Sequence, residues 1–353
     1  MSRRIPAAVL GATGFVGGEL LRLLSAHPTF ELCAAVSDGR AGERIADVFP
    51  HLAGVYGERR FLPHEGWIDA QAGAPGLALF SAAPHGASAR VVAAALDAAA
   101  ARAIEVHAVD ASADFRYPSA AAFEAVYGER HGAPELLSRF SSGLPEHVAG
   151  TPTPHVGHPG CFATAMLIAC VPLLRAGLTD GRLFAAAVTG STGSGRTPSA
   201  GTHHPERHGN LYAYKALAHR HVPEVTALAG QAAGLVPTLH FVPHSGPFAR
   251  GIHLTLQATL ADGVTAADVA AAFDASYAGA PFIEVIKGTP KLKDVVASNR
   301  ACIGYAVAGG SVAVLCAIDN LVKGAAGGAV QWMNRLWALP ETSGLVAPAP
   351  GWT

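Results

Sequence analysis

The chain has 353 residues, half of them apolar, enough for roughly two domains of about 150 residues and a large buried core. Charged residues make up 14%, against about 25% in an average domain, and 25 Lys plus Arg nearly cancel 26 Asp plus Glu. That balance excludes a disordered chain, and it excludes nucleic acid or an anionic membrane as a partner recruited by a global field.

Ala7-Ala8-Val9-Leu10 is an apolar run stopped by Gly11, and leucines return at helical spacing over residues 19–24, so strand, glycine turn and helix follow one another. Residues 32–36 and 77–80 are further strand-like runs, 91–101 an alanine-rich helix, and 104–109 another strand. Strands alternating with helices predict a parallel α/β sheet. Six prolines fall between Pro118 and Pro159, and this stretch is expected to be a loop-rich domain boundary. The apolar stretch from Cys161 is helical to about Cys170. Beyond it, residues 222–233 and 266–278 read as helices, 239–243, 252–260 and 312–318 as strands, and 325–336 as a final helix, the mixture of an α+β domain. The apolar run 165–174 is far short of the roughly 20 residues that span a bilayer, so no membrane partner is expected. The first residues carry no apolar signal core, and five cysteines without a Cys-x-x-Cys pair make no disulfide framework. Both features point to a reducing, cytoplasmic compartment.

Gly11-Ala12-Thr13-Gly14-Phe15-Val16-Gly17 occupies the first strand-to-helix turn, where the backbone can approach a pyrophosphate at the positive end of a helix. The spacing departs from G-x-G-x-x-G, and the position carries the argument. Ser37-Asp38-Gly39-Arg40 follows the second strand, where the adenosine ribose of a dinucleotide lies in such folds. A carboxylate there favours the free 2′-hydroxyl of NAD, whereas Ser37 and Arg40 suit the 2′-phosphate of NADP; both kinds of residue are present, and NADP is preferred.

His158-Pro159-Gly160-Cys161 puts one thiol at a helix N-terminus, where aligned N–H groups favour thiolate over thiol and make a nucleophile at neutral pH. Cys33, Cys170, Cys302 and Cys316 lie inside apolar or strand-like segments and read as buried packing. Seventeen histidines include the runs His203-His204-Pro205-Glu206-Arg207-His208 and His219-Arg220-His221-Val222-Pro223-Glu224, and a histidine is the natural acid–base partner of a thiolate. Neither His-Glu-x-x-His nor paired-cysteine spacing is present, so no metal is expected. Arg116, Arg196 and Arg250 each sit beside small residues, where a planar guanidinium suits either carboxylate and phosphate recognition or a structural ion pair.

Together these stretches resemble the N-acetyl-gamma-glutamyl-phosphate reductases, in the aspartate-semialdehyde dehydrogenase-like superfamily. The resemblance covers nearly the whole chain, through residues 11–17, Pro84-His85-Gly86, 110–116, 158–165, 190–196, 219–224, 241–244, 250–252 and 319–327. Its specific segments are Pro-Gly-Cys, Asp-x-Ser-Ala-Asp-Phe-Arg and Asp-Asn-Leu-x-Lys-Gly. It implies an α/β fold: a Rossmann-type NADP-binding domain over 1–159 and 325–353, and an α+β catalytic and dimerisation domain over 160–324, with the C-terminal helix returning to the first domain. It also implies reductive dephosphorylation of a small acyl phosphate by NADPH. Cys161 would form a thioester and His219 would act as acid–base, with His221 the alternative or a substrate contact. Arg116, Arg196 and Arg250 would recognise phosphate and carboxylate. Cofactor contacts are implied at Gly11, Thr13, Gly14, Phe15, Val16, Gly17, Ser37, Arg40, Pro84, Ser191, Asn320 and Gly324, and a homodimer or homotetramer as the assembly.

Two positions depart from the family pattern: His158 stands where Asn is common, and Ser142-Gly143-Leu144 where Tyr-Gly-Leu is usual. Thr202-His203-His204-Pro205-Glu206-Arg207 also resembles the lysine-biosynthesis branch that acts on carrier-linked aminoadipyl or glutamyl phosphate. A basic docking run for an acidic carrier is missing, which favours the free N-acetylglutamyl substrate. A dinucleotide-sensing regulator needs neither Cys161 nor His219. Aspartate-semialdehyde and glyceraldehyde-phosphate dehydrogenases share the thiol–histidine logic, but segments 112–116 and 219–224 favour the acetylated substrate.

Overall fold

In the computed structural model, which describes residues 4–352, the chain divides into two units. One comprises the chain up to Gly143 with Ala149–His158 and Ala325–Val346; the other comprises Leu144–Val148, Pro159–Gly324 and the segment from Ala347. Residues 144–148, 159 and 347–352 thus group with the second unit, where the sequence division at 159/160 and 324/325 assigned them to the first. The side chains of 144–148 explain their placement: Glu146 Oε1 is 2.6 Å from Lys323 Nζ, and His147 Nε2 is 3.0 Å from Tyr277 Oη.

The first unit is built on six parallel strands, β1 (Ile5–Leu10), β2 (Phe30–Val36), β3 (Gly76–Ser81), β4 (Glu105–Asp110), β5 (Phe140–Ser142) and β6 (His155–Gly157), in the order β2-β1-β3-β4-β6-β5. β3 is buried along its whole length, which is why it reads as an unbroken apolar run rather than an alternating one. Helices Phe15–Ser25 and Ser88–Ala100 follow β1 and β3. The last helix, Gly327–Leu336, packs in the same unit: Trp332 Nε1 donates to the Gly143 carbonyl and Asn334 Oδ1 lies 2.9 Å from His27 Nε2. The proline-rich stretch 118–159 is more ordered than its composition suggested. It carries the helix Ala120–Tyr127, capped by the Ser119 hydroxyl, and the strands β5 and β6, each too short for periodicity to register.

The second unit is a seven-stranded mixed sheet, β7 (Thr179–Thr189), β8 (Tyr212–Ala213), β9 (Thr238–Ser245), β10 (Ile252–Leu260), β11 (Ile283–Val285), β12 (Ala301–Ala308) and β13 (Ser311–Ile318), ordered β11-β12-β13-β10-β7-β9-β8. Helices Cys161–Arg175, His221–Ala233 and Ala266–Tyr277 share one core with the inward residues of these strands, among them Leu183, Phe241, Leu254, Ile303 and Val314. On β7 the burial alternates, and the outward set includes Phe184, 52% exposed, and Ala186. Cross-strand pairing places Val242, Thr255 and Gln257 on that same open face.

The helix Cys161–Arg175 is buried along nearly all its length and continues past Pro172. Proline has no N–H to give the carbonyl four residues back, so the Ile168 carbonyl needs another donor. The Tyr277 hydroxyl supplies it at 2.7 Å. Among the described residues no helix is long and apolar enough to cross a membrane.

Candidate active site

In the first unit the glycine loop is shaped by close approach. Gly11 has φ +67, and a Cβ there would lie 2.6 Å from the Ala83 backbone; a Cβ on Gly17 would lie 2.6 Å from Ala12. Gly14 is an extended N-cap without a side chain, and Gly18 N–H makes the first helical bond back to its carbonyl. The N–H groups of Phe15 and Val16, in the first turn, have no partner inside the helix, and the helix dipole adds positive potential there. This cradle fits the phosphates of a dinucleotide. Thr13 Oγ1 lies 3.2 Å from Ser37 Oγ, joining the loop to the end of β2. Arg40 is paired with Glu43 at 2.8 Å. Pro84 follows β3, and its carbonyl accepts the N–H groups of Ala87 and Ser88 at the start of the next helix.

The Asp110–Arg116 segment is scaffolding within this unit. Asp110 is fully buried and accepts from the hydroxyls of Ser88 and Ser112; burial first, and then Asp114, raises its carboxyl above the ordinary range. Asp114 accepts the N–H groups of Gly86 and Ala89, fixing the turn after β3. Arg116 is 7% exposed, and donates from Nε to the His158 carbonyl and from a terminal nitrogen to the Ala111 carbonyl.

In the second unit Cys161 is the first residue of its helix, after the extended N-cap Gly160. Burial pushes the thiols of Cys33 and Cys170 up to about 12 and that of Cys302 to about 11, and raises Cys316 as well, which keeps all four in the inert thiol form. Cys161 alone combines partial exposure with a helix N-terminus. Glu224, 1% exposed in the first turn of the helix His221–Ala233, accepts the Gly160 N–H at 2.7 Å. Gly324 closes in from the other side: a Cβ on it would sit 2.7 Å from Cys161 Cβ.

His219 and His221 are both buried, their rings 4.7 Å apart, and each stands edge-on to Phe162, the neighbour of Cys161. His219 Nδ1 accepts the His221 N–H at 3.2 Å, so the neutral ring carries its proton on Nε2. Burial, reinforced by the positive charges of Arg220 and Lys215, pushes His219 down to about 4. Tyr214 stands 5.8 Å from His219; burial raises its phenol, and the charge of Cys161 adds to that rise.

Arg250 is held by Asp319, with Nε to Oδ2 at 3.0 Å and a second bond to Oδ1 at 3.2 Å. Asn320 accepts the Gly251 N–H and donates to Thr192 Oγ1, tying the start of β10 to the turn Ser191–Ser194. The Ser191 N–H donates to the Phe248 carbonyl. Arg196 lies on an arm, residues 193–218, in which Arg207 alone is buried, its guanidinium bonded to Ser245 Oγ and the Gly246 carbonyl. The second unit therefore sets Gly324 against Cys161 and the His219–His221 pair against the neighbouring Phe162, while Arg116 lies in the first unit and Arg250 is engaged by a carboxylate. Sequence reading missed Glu224 and Tyr214, although Glu224 ends the same His-x-His string. Among the described residues no group of three His, Cys, Asp or Glu side chains is placed to hold a metal.

Two family models match the chain: "semialdehyde dehydrogenase, NAD binding domain" over residues 6–146 and "semialdehyde dehydrogenase, dimerisation domain" over 161–320. An N-acetyl-gamma-glutamyl-phosphate reductase of Ectopseudomonas mendocina is 41% identical over 349 residues, covering 97% of this chain and 98% of the relative. This chain belongs to the N-acetyl-gamma-glutamyl-phosphate reductase family. Relatives of the same name from Pseudomonas entomophila, 40% identical, and Alkalilimnicola ehrlichii, 39% identical, match over 97% and 98% of the chain and 98% and 99% of their own lengths. The fold is that of the aspartate semialdehyde dehydrogenases. That of Vibrio cholerae complexed with ASA has a TM-score of 0.67 at 16% identity over 96% of this chain and 99% of its own. That of Candida albicans with NADP scores 0.65 at 15% identity over 95% and 98%.

Proposed function

We propose that the protein reduces N-acetyl-L-glutamyl 5-phosphate to N-acetyl-L-glutamate 5-semialdehyde and phosphate with NADPH, a step of arginine biosynthesis, in the cytoplasm. Family membership supports the reaction, and one observation carries the mechanism: Cys161 opens a buried helix whose second residue, Phe162, stands edge-on to both His219 and His221. The thiolate of Cys161 attacks the acyl carbon, the C–O bond to phosphate breaks, and a thioester forms. The dinucleotide, held at Gly11, Thr13, Gly14, Phe15, Val16 and Gly17 with Ser37 and Arg40 toward its ribose, supplies the hydride. Collapse of the resulting thiohemiacetal returns the thiolate and frees the aldehyde.

His219 is the acid–base residue and works from its Nε2–H, which donates to the acyl oxygen as negative charge develops there. To accept a proton at Nε2 the ring must first exchange tautomer and give up the His221 amide. His221 and Arg196 take the polar ends of the substrate. Arg116 and Arg250 act through the loops they hold, as do Pro84, Ser191 and Asn320 toward the cofactor, and Gly324 leaves room beside the thiol. The assembly is a homodimer or homotetramer, joined through the open face of the second unit's sheet.

The deciding measurement is NADP+ reduction by the purified protein with phosphate and N-acetylglutamate semialdehyde, beside aspartate semialdehyde and the aminoadipate analogue. Phosphate-dependent NADPH formation with the acetylated five-carbon aldehyde alone is expected. Turnover of the aminoadipate or aspartate aldehyde in its place overturns the substrate assignment. Cys161→Ser should abolish turnover while dinucleotide binding persists; a near-normal rate in that variant rules out the thioester.

A further inference from the structure

Beside the glycine loop lies a carboxyl–imidazole contact that the fingerprint of this fold does not foresee. β2 ends at Val36, and the contact between Ser37 and Thr13 places the residues after β2 alongside the dinucleotide loop. Asp38 then stands where such folds use an acidic side chain to accept the 2′-hydroxyl of NAD. Here both of its oxygens are turned to His64. The His64 backbone N–H donates to Oδ1 at 2.7 Å, and His64 Nδ1 lies 2.7 Å from Oδ2. The two segments are fastened by their backbones, with Ser37 N–H donating to the Leu62 carbonyl and Leu62 N–H to that of Ala35, each at 2.8 Å. The bonds from His64 also hold the Asp38 carboxyl below its ordinary range. Two residues on, Arg40 pairs with Glu43, both side chains close to half exposed. Such a surface pair separates at little cost.

We infer that His64 is the residue that sets cofactor selectivity. By holding Asp38 it withdraws the carboxylate that would accept the 2′-hydroxyl of NAD. Ser37 and Arg40 are left to bind the 2′-phosphate of NADP. The inference rests on the NADP reading above and names the side chain on which the preference depends. His64 touches no reacting atom; it is a specificity-determining residue that acts through Asp38.

The test is calorimetric titration of the full-length protein with NADP+ and with NAD+, without substrate, with thermal melting to confirm that each variant is folded. In His64→Ala the preference for NADP+ over NAD+ is expected to fall by about fivefold, the scale of one hydrogen bond. His64→Gln keeps a side-chain N–H for Asp38 and should lose less. Asp38→Ala alone should keep or raise the preference, and the double variant His64→Ala/Asp38→Ala should match Asp38→Ala. A ratio unchanged in His64→Ala overturns the inference. So does a loss that persists in the double variant, because His64 would then act on the phosphate itself. Failure of the dinucleotide reading looks different: the wild-type protein would bind neither NADP+ nor NAD+.

Discussion

Glu224 Oε1 accepts the backbone N–H of Gly160 at 2.7 Å, so a buried carboxyl on the helix that His221 opens holds the residue that caps the Cys161 helix. Replacing Glu224 by Gln leaves an acceptor in place and should preserve most of the activity. Replacing it by Ala strands a buried N–H, at about 1–3 kcal/mol of stability. It also loosens the Cys161 turn, and small misplacements of a reacting group cost on the order of 10²-fold in rate. We expect kcat to fall far more than KM changes, together with slower iodoacetamide alkylation of Cys161. Equal rates in the Gln and Ala variants would remove Glu224 from the positioning of the thiol.

Gly324→Ala is a steric test of the same thiol. The new Cβ would fall 2.7 Å from Cys161 Cβ and 3.0 Å from its Cα, so one backbone has to move. Overpacking of this kind costs about 1–3 kcal/mol. Alkylation of Cys161 and turnover should both fall in this variant. A loss of dinucleotide affinity with alkylation unchanged would instead mean that Gly324 serves the cofactor.

Stability should decline on acidification for a reason located in four histidines. His147, His155 and His219 are pushed by burial from 6.5 down to about 4, and His27 shifts in the same direction. Each stays neutral in the folded protein while the unfolded chain binds a proton below its ordinary value. Their contribution is therefore complete above pH 6.5, is lost as pH falls from 6.5 toward 4, and levels off below that. One such group changes the slope by up to about 1.4 kcal/mol per pH unit. Urea unfolding between pH 4.5 and 7 should show a shallower dependence in His155→Gln than in the wild type; the same slope in both would remove His155 from the account.

Phe184 and Leu217, 52% and 66% exposed, border the open face of the second unit's sheet. If that face joins two copies, Phe184→Glu removes an aromatic anchor and buries a charge. An anchor of this kind is worth about 2 kcal/mol or more. Sedimentation should then find the variant dissociated at concentrations where the wild type is associated. An unaltered sedimentation coefficient would move the interface elsewhere.

The parallel sheet of the first unit was legible because β1, β2 and β3 are apolar runs set off by glycine and by helical leucine spacing. β7 was not, because its centre, Leu183 to Val188, is half alanine, a residue that suits helices. It is a strand because β9 and β10 pair with it on either side. The place of Cys161 at the start of its helix was readable from the Pro-Gly-Cys turn, and the closeness of His219 to His221 from the His-x-His string. The arginines could not be ranked: the carboxylate that engages Arg250 belongs to Asp319, 69 residues further on. Glu224 was visible, yet its partner is the amide of a residue 64 positions earlier.

Pro172 and Tyr277 form a conditional pair. The proline interrupts the hydrogen bonding of the helix that Cys161 opens, and a phenol contributed 109 residues away supplies the missing donor to Ile168. In a lineage that keeps proline at 172, phenylalanine at 277 would strand a carbonyl in the core; where 172 is an ordinary residue, the hydroxyl is left with His147 as its partner. The order of substitution is thereby constrained: the proline has to leave before the tyrosine can.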